Sequence, residues 1–180
     1  SVALAEAMVS IGTMAGKKTT AVITDMDQPL GYAVGNSLEV IEAIETLKGN
    51  GPEDFKAVVF ALGSEMLQAA GVASSDEEAH AKLQSVIDDG SALDKFAEFV
   101  AAQGGDNSYV YDISKLPKAS IVEEVVAEEA GFVQRILAED IGIACMTLGG
   151  GRETKESEID LSVGIILKKR SYFFEEKRSL

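Results

Sequence analysis

The sequence predicts an α/β fold of the mixed, α+β kind, on three observations. Apolar residues recur at helical spacing through the first two thirds of the 180 residues. A short β-branched run, Thr19-Thr20-Ala21-Val22-Ile23-Thr24, interrupts that pattern as one parallel-type strand. After Pro117 the periodicity turns strand-like. This reading divides the chain into a helix-rich part over 1–117, a β-rich subdomain over 118–170 and a tail, "SYFFEEKRSL", over 171–180 that fits neither pattern.

In chain order, Val2 to Met14 reads as a helix stopped by Gly16, and Lys18 to Thr24 as the strand. The helix has no cap or lead-in, which suggests a chain that starts inside a larger design. Asn36 with Glu39 three residues on resembles a capping box, and Leu38, Ile41, Ile44 and Leu47 give the following helix its apolar face. Pro52 suits the first turn of the next helix, with a stripe through Phe55, Val58, Val59, Leu62, Met66 and Ala70. Ser75 with Glu78 is a second capping box, and Ser91 opens a helix that Gly104-Gly105 ends. Beyond Pro117, "ASIVEEVVAEEAGFVQRILAED" reads as two β segments joined at Gly131, Ile141 to Leu148 as a short helix, and "IDLSVGIILKK" as a β-rich run.

Composition bounds the function. Lys and Arg number 16 against 30 Asp and Glu, a formal charge of −14, which argues against a nucleic-acid partner. No apolar run approaches a membrane span, and no secretory signal opens the chain. Cys145 is the single cysteine, so an internal disulfide is impossible and a cytoplasmic setting is expected. His80 is the single histidine, which excludes a multi-His metal site; it reads as a surface residue of a polar helix.

The motifs allow two readings each. "LGGGRETK" could face backbone N–H groups to a phosphate, but it lacks the P-loop spacing and follows a helix, so a helix stop with tight packing is the alternative. Cys145, among apolar neighbours, is a nucleophile or a small buried hydrophobe. The carboxylates at 123–124, 128–129 and 139–140 read as solvated turns. The loop "DMDQPLGYAVGN", residues 25–36, is long for a strand-to-helix connection, and long ordered loops tend to be functional. Its carbonyls are ligands for a hard cation, and Glu42 could meet those around Leu30 and Ala33. Alternatively Glu39 caps the helix and Glu42 is solvated.

At this loop the sequence resembles the pyrimidine-nucleoside phosphorylases, the family that includes thymidine phosphorylase. "TDMDQPLGYAVGN", "SALDKFAEFVAAQGGD", "LGGGR" and "IDLSVG" carry the resemblance, which covers about residues 1–169. It implies a cytoplasmic homodimeric glycosyltransferase of pyrimidine salvage, with a small α lobe and a large α/β lobe. Such an enzyme uses phosphate to cleave a pyrimidine nucleoside into free base and pentose 1-phosphate. This chain would correspond to the latter part of the large lobe. The family's phosphate- and base-binding runs cannot be found in it, so no catalytic or substrate-binding residue carries over, and the 180-residue chain alone is expected to be inactive. What does carry over is part of a monovalent-cation site, commonly potassium: the carbonyls of Leu30 and Ala33 and the carboxylate of Glu42. The end of the chain departs from the family, which again suggests a fragment. A competing expectation is a non-catalytic structural or cation-binding domain on the same scaffold. A related phosphoribosyltransferase shares the lobe plan, but its diphosphate-binding sequence is not found here.

Overall fold

The computed structural model describes residues 2–171, so the expected tail lies, beyond Ser171, outside the described residues. Seven α-helices and two short strands are present among them: α1 (Val2–Met14), β1 (Ala33–Val34), α2 (Asn36–Leu47), α3 (Glu53–Ala69), α4 (Asp76–Asp88), α5 (Ser91–Ala102), α6 (Ser108–Tyr111), α7 (Ala138–Cys145) and β2 (Ile165–Ile166). The chain divides into two units, one of residues up to 25 with 43–114, the other of 26–42 with the residues from 115 onward.

The first unit is helical. Helix α4 follows from its capping box: the Glu78 N–H donates to Ser75 Oγ at 3.2 Å, while the Glu78 carboxylate accepts from Ser74 N and Oγ at 2.9 and 2.7 Å. Those hydrogen bonds, the hydroxyl's first, hold the Glu78 carboxyl below the usual carboxylate range. Pro52 precedes α3 as expected. The apolar stripe expected on α3 is only partly right, because Phe60 and Ser64 are buried while Val59, Leu62 and Met66 are exposed. The face turned inward is the one that α4 covers: the His80 ring lies 4.4 Å from that of Phe60, centroid to centroid. His80 itself is exposed. Helix α1 buries none of its residues; Leu4, Met8, Ile11 and Met14 are all exposed.

The β content differs from the expected pattern. Residues 18–24 and the run 119–137 carry no strand, and "IDLSVGIILKK" contributes only Ile165–Ile166. A strand exists only where a second backbone answers its hydrogen bonds, and β-branched composition does not supply that backbone. The single pairing among the described residues, β1 with β2, is antiparallel rather than parallel, with Ala33 opposite Ile166 and Val34 opposite Ile165. The last helix starts earlier than expected, at Ala138, so Glu139 and Asp140 occupy its first turn instead of a turn between strands. Negative charge there suits the positive end of the helix dipole. A wide turn of π-helical hydrogen bonding, Met146–Gly150, follows it.

Candidate functional site

The second unit is organised around the loop that precedes α2. That helix begins without help from the Asn36 side chain, which donates instead to Gly150 O at 3.1 Å. Gly35 stands at the start: its carbonyl accepts from Glu39 N at 2.9 Å, and its N–H donates to Glu39 Oε1 at 3.1 Å. Of the capping box expected from the sequence only the Glu39 half forms, on the Gly35 N–H; the Gly35 carbonyl makes the first ordinary helix bond, and the Asn36 side chain takes no part. Gly35 is required there, because its φ is +133° and a Cβ would lie 2.5 Å from Val163 O.

One turn further on, Glu42 reaches back to the same incoming chain. Its Oε1 accepts from Tyr32 N at 2.9 Å and from Ala33 N at 3.2 Å. Gly31, with φ +72°, lies directly beneath the carboxylate, where any Cβ would collide with it. On the other side, Tyr32 O accepts from Leu167 N at 2.8 Å. The C=O of Tyr32 and the N–H of Ala33 belong to one trans peptide, so they point to opposite edges. In extended β1 the N–H and C=O of one residue share an edge. The Ala33 carbonyl therefore faces the Glu42 side rather than β2. Of the three residues singled out, the structure brings Glu42 and Ala33 together, but through the Ala33 N–H and not through the carbonyl expected from the sequence. Leu30 stands in the same turn, partly exposed at 42%.

The sequence did not point to what grips the loop from its other side. Arg170 Nη2 donates to Pro29 O at 2.6 Å, Nη1 donates to Gly31 O, and the guanidinium lies 5.6 Å from the centre of the Tyr32 ring. Next to it, Ser171 N and Oγ donate to Gln28 Oε1 at 3.3 and 3.0 Å. The available signal was the cationic run Lys168-Lys169-Arg170 closing a β-rich segment in a chain of −14.

The glycine triplet is a packing element here. Gly149 O accepts from Asp160 N at 2.9 Å, and a Cβ on Gly150 would press on Cys145 Sγ. Cys145 is buried, and its thiol faces Val34 O at 3.7 Å. Burial, aided by the Glu39 charge, pushes the thiol's pKa up, so it is a small hydrophobe and not a nucleophile. Between these parts lies a cavity of about 240 Å³, lined among others by Glu39, Cys145 and Gly151. Among the described residues no three His, Cys, Asp or Glu side chains come together to hold a metal ion. Carboxylate and main-chain carbonyl oxygens are the donor types that a hard cation takes, and both stand in this stretch; here Glu42 Oε1 meets main-chain N–H groups.

Residues 1–93 match the family model described as the glycosyl transferase family a/b domain, and residues 132–171 match the pyrimidine nucleoside phosphorylase C-terminal domain. The chain belongs to the pyrimidine-nucleoside phosphorylase family. Among family members it is 57% identical over 168 residues to the pyrimidine-nucleoside phosphorylase of Geobacillus stearothermophilus. It is 56% identical over 167 residues to that of Bacillus subtilis strain 168, and 52% over 168 to that of Staphylococcus haemolyticus. Each match takes in 93% of this chain and 39% of the relative, so the chain spans well under half the length of those proteins. No helix among the described residues is long and apolar enough to cross a membrane.

Proposed function

We propose that this chain forms part of a pyrimidine-nucleoside phosphorylase. In that reaction the bond from the anomeric carbon to the base nitrogen breaks and a bond to a phosphate oxygen forms. The base leaves with the electron pair and takes up a proton, giving free base and pentose 1-phosphate. The protein's work in such a displacement is chiefly positioning and stabilisation of charge. The observation that carries the reading is the 57% identity over 93% of the chain with a protein of that name.

Within that enzyme the loop before α2 holds a monovalent cation, potassium by family resemblance, through the carbonyls of Leu30 and Ala33 and the Glu42 carboxylate. The support on this chain is the turn of Glu42 onto the loop and the edge that the Ala33 carbonyl faces. A bound cation would supply fixed positive charge that braces the loop. A homodimer, a cytoplasmic setting and a role in pyrimidine salvage belong to the same reading and rest on the resemblance.

The test is a graft. Residues 2–171 replace the matched region of the Geobacillus stearothermophilus relative, and the purified protein is incubated with uridine and phosphate. Free base is expected from the graft and none from the 180-residue chain alone. A folded, monodisperse graft that forms no free base, beside an active parent, overturns the reading. Glu42→Gln in the graft is expected to raise the potassium concentration needed for half-maximal binding.

A further inference from the structure

We propose that Arg170 is the positioning residue of the loop before α2, holding it in the form that Glu42 and a cation can use. That a cation is the beneficiary rests on the reading above; the hold itself rests on the geometry. Within residues 29–33, two carbonyls meet a cationic side chain and two N–H groups meet an anionic one. The guanidinium takes the carbonyls of Pro29 and Gly31, and the carboxylate of Glu42 takes the N–H groups of Tyr32 and Ala33. A planar guanidinium holds two acceptors in a fixed fork, where an ammonium offers a compact charge with rotatable donors and no set geometry. Its seat near the Tyr32 ring restricts it further, and the two Ser171 bonds to Gln28 anchor the adjoining backbone.

The division of oxygens is the informative part. Arg170 occupies the carbonyls of Pro29 and Gly31 and Leu167 N that of Tyr32, so those assigned to the cation, on Leu30 and Ala33, are the remaining two of residues 29–33. Gly31 is the point where both devices meet, since its oxygen is on Arg170 and its Cα lies under Glu42. With the arginine gone, the turn can open at Gly31 and the Tyr32 and Ala33 amides leave Glu42. These contacts span 139 and 141 residues of sequence, so Arg170 ties the far end of the described chain to the loop.

The experiment is amide hydrogen exchange on the 180-residue protein, read at Tyr32 and Ala33, in potassium and in choline buffer, with Arg170→Met and Arg170→Lys beside the native sequence. Amides of α7, in the same unit, report whether that unit stays folded. Arg170→Met is expected to speed exchange at Tyr32 and Ala33 at least about tenfold in both buffers with α7 unchanged, since charge-assisted bonds at a local opening are lost. Arg170→Lys, with a compact ammonium in place of the rigid fork, is expected to recover most of this and exchange about threefold faster than native. Native rates in Arg170→Met overturn the proposal whatever potassium does. Should Arg170→Met unprotect α7, Arg170→Lys decides: about threefold faster exchange confined to the loop supports the proposal, and native rates overturn it. In the graft of residues 2–171 into the relative, where the rest of the enzyme is present, potassium is expected to slow exchange at Tyr32 and Ala33, and to require at least about tenfold higher concentration with Arg170→Met. A loop that depends on Arg170 but ignores potassium in every variant keeps the positioning role and removes the cation reading. A loop that responds to potassium but not to Arg170 does the reverse.

Discussion

Two stretches of the second unit have contrasting composition and contrasting fates. Residues 119–126, "ASIVEEVV", are rich in Ile and Val, yet they form no strand, and Ile121, Val122, Val125 and Val126 are all at least 75% exposed. Residues 28–35, "QPLGYAVG", hold one proline and two glycines, yet Gly31, Ala33 and Gly35 are buried and the loop is gripped on both sides. Local preference therefore ranks the two stretches in the wrong order. What separates them is tertiary supply: the second meets α2, β2 and Arg170, while the first meets no partner strand among the described residues.

The largest effect expected from that contrast is a pair of glycine substitutions. Gly35→Ala forces a Cβ against Val163 O at positive φ and should cost about 2–4 kcal/mol, read as a drop in urea midpoint. Gly131→Ala, in the exposed run where nothing lies within 4 Å, should stay within about 0.5 kcal/mol. Equal costs at the two sites would remove the distinction. Next in size is Glu42→Gln, which keeps the shape and loses the charge facing Tyr32 N and Ala33 N. It should cost about 1–2 kcal/mol while circular dichroism shows the helices intact. A helix signal that falls with it would mean that Glu42 supports α2 rather than the loop.

Cys145 sharpens the comparison kinetically. Its buried, upward-shifted thiol should react with iodoacetamide at pH 8 at least about tenfold more slowly than free cysteine. Labelling at the free rate would show that the packing of α7 against the glycine triplet opens readily.

The smallest effect concerns Asp160, whose carboxyl accepts from Ser162 Oγ at 2.6 Å and Ser162 N at 2.9 Å and is held below its ordinary 3.8 by them, the hydroxyl first. A carboxyl lowered on folding contributes stability above its unfolded pKa and loses it as pH falls through the folded one. The Asp160 side-chain carbon should therefore titrate in NMR with a midpoint below 3.8, and Ser162→Ala should bring it back toward 3.8. A midpoint at or above 3.8 in the native protein would contradict the turn.

The sequence by itself determined the five longer helices and most of their ends, because helix bonds close between residues four apart and caps lie within a turn; short α6 was not foreseen, and α7 lies three residues earlier than expected. Ser75 with Glu78, Pro52 before α3 and the acidic residues of α2 were all legible at that range. The family, too, was legible in runs such as "TDMDQPLGYAVGN", and so was the turn of Glu42 back onto the loop, although it meets N–H groups there where carbonyls were expected. Tertiary structure alone decided the rest: which face of α3 turns inward, that β1 meets β2, that Glu39 caps the N–H of Gly35 while the Asn36 side chain turns to Gly150, and that Arg170 holds Pro29 and Gly31. Strand pairing and the arginine's grip join residues more than 130 positions apart. Contacts of that span leave no periodicity in the sequence, because their partners are set by how the whole chain closes and not by any neighbour.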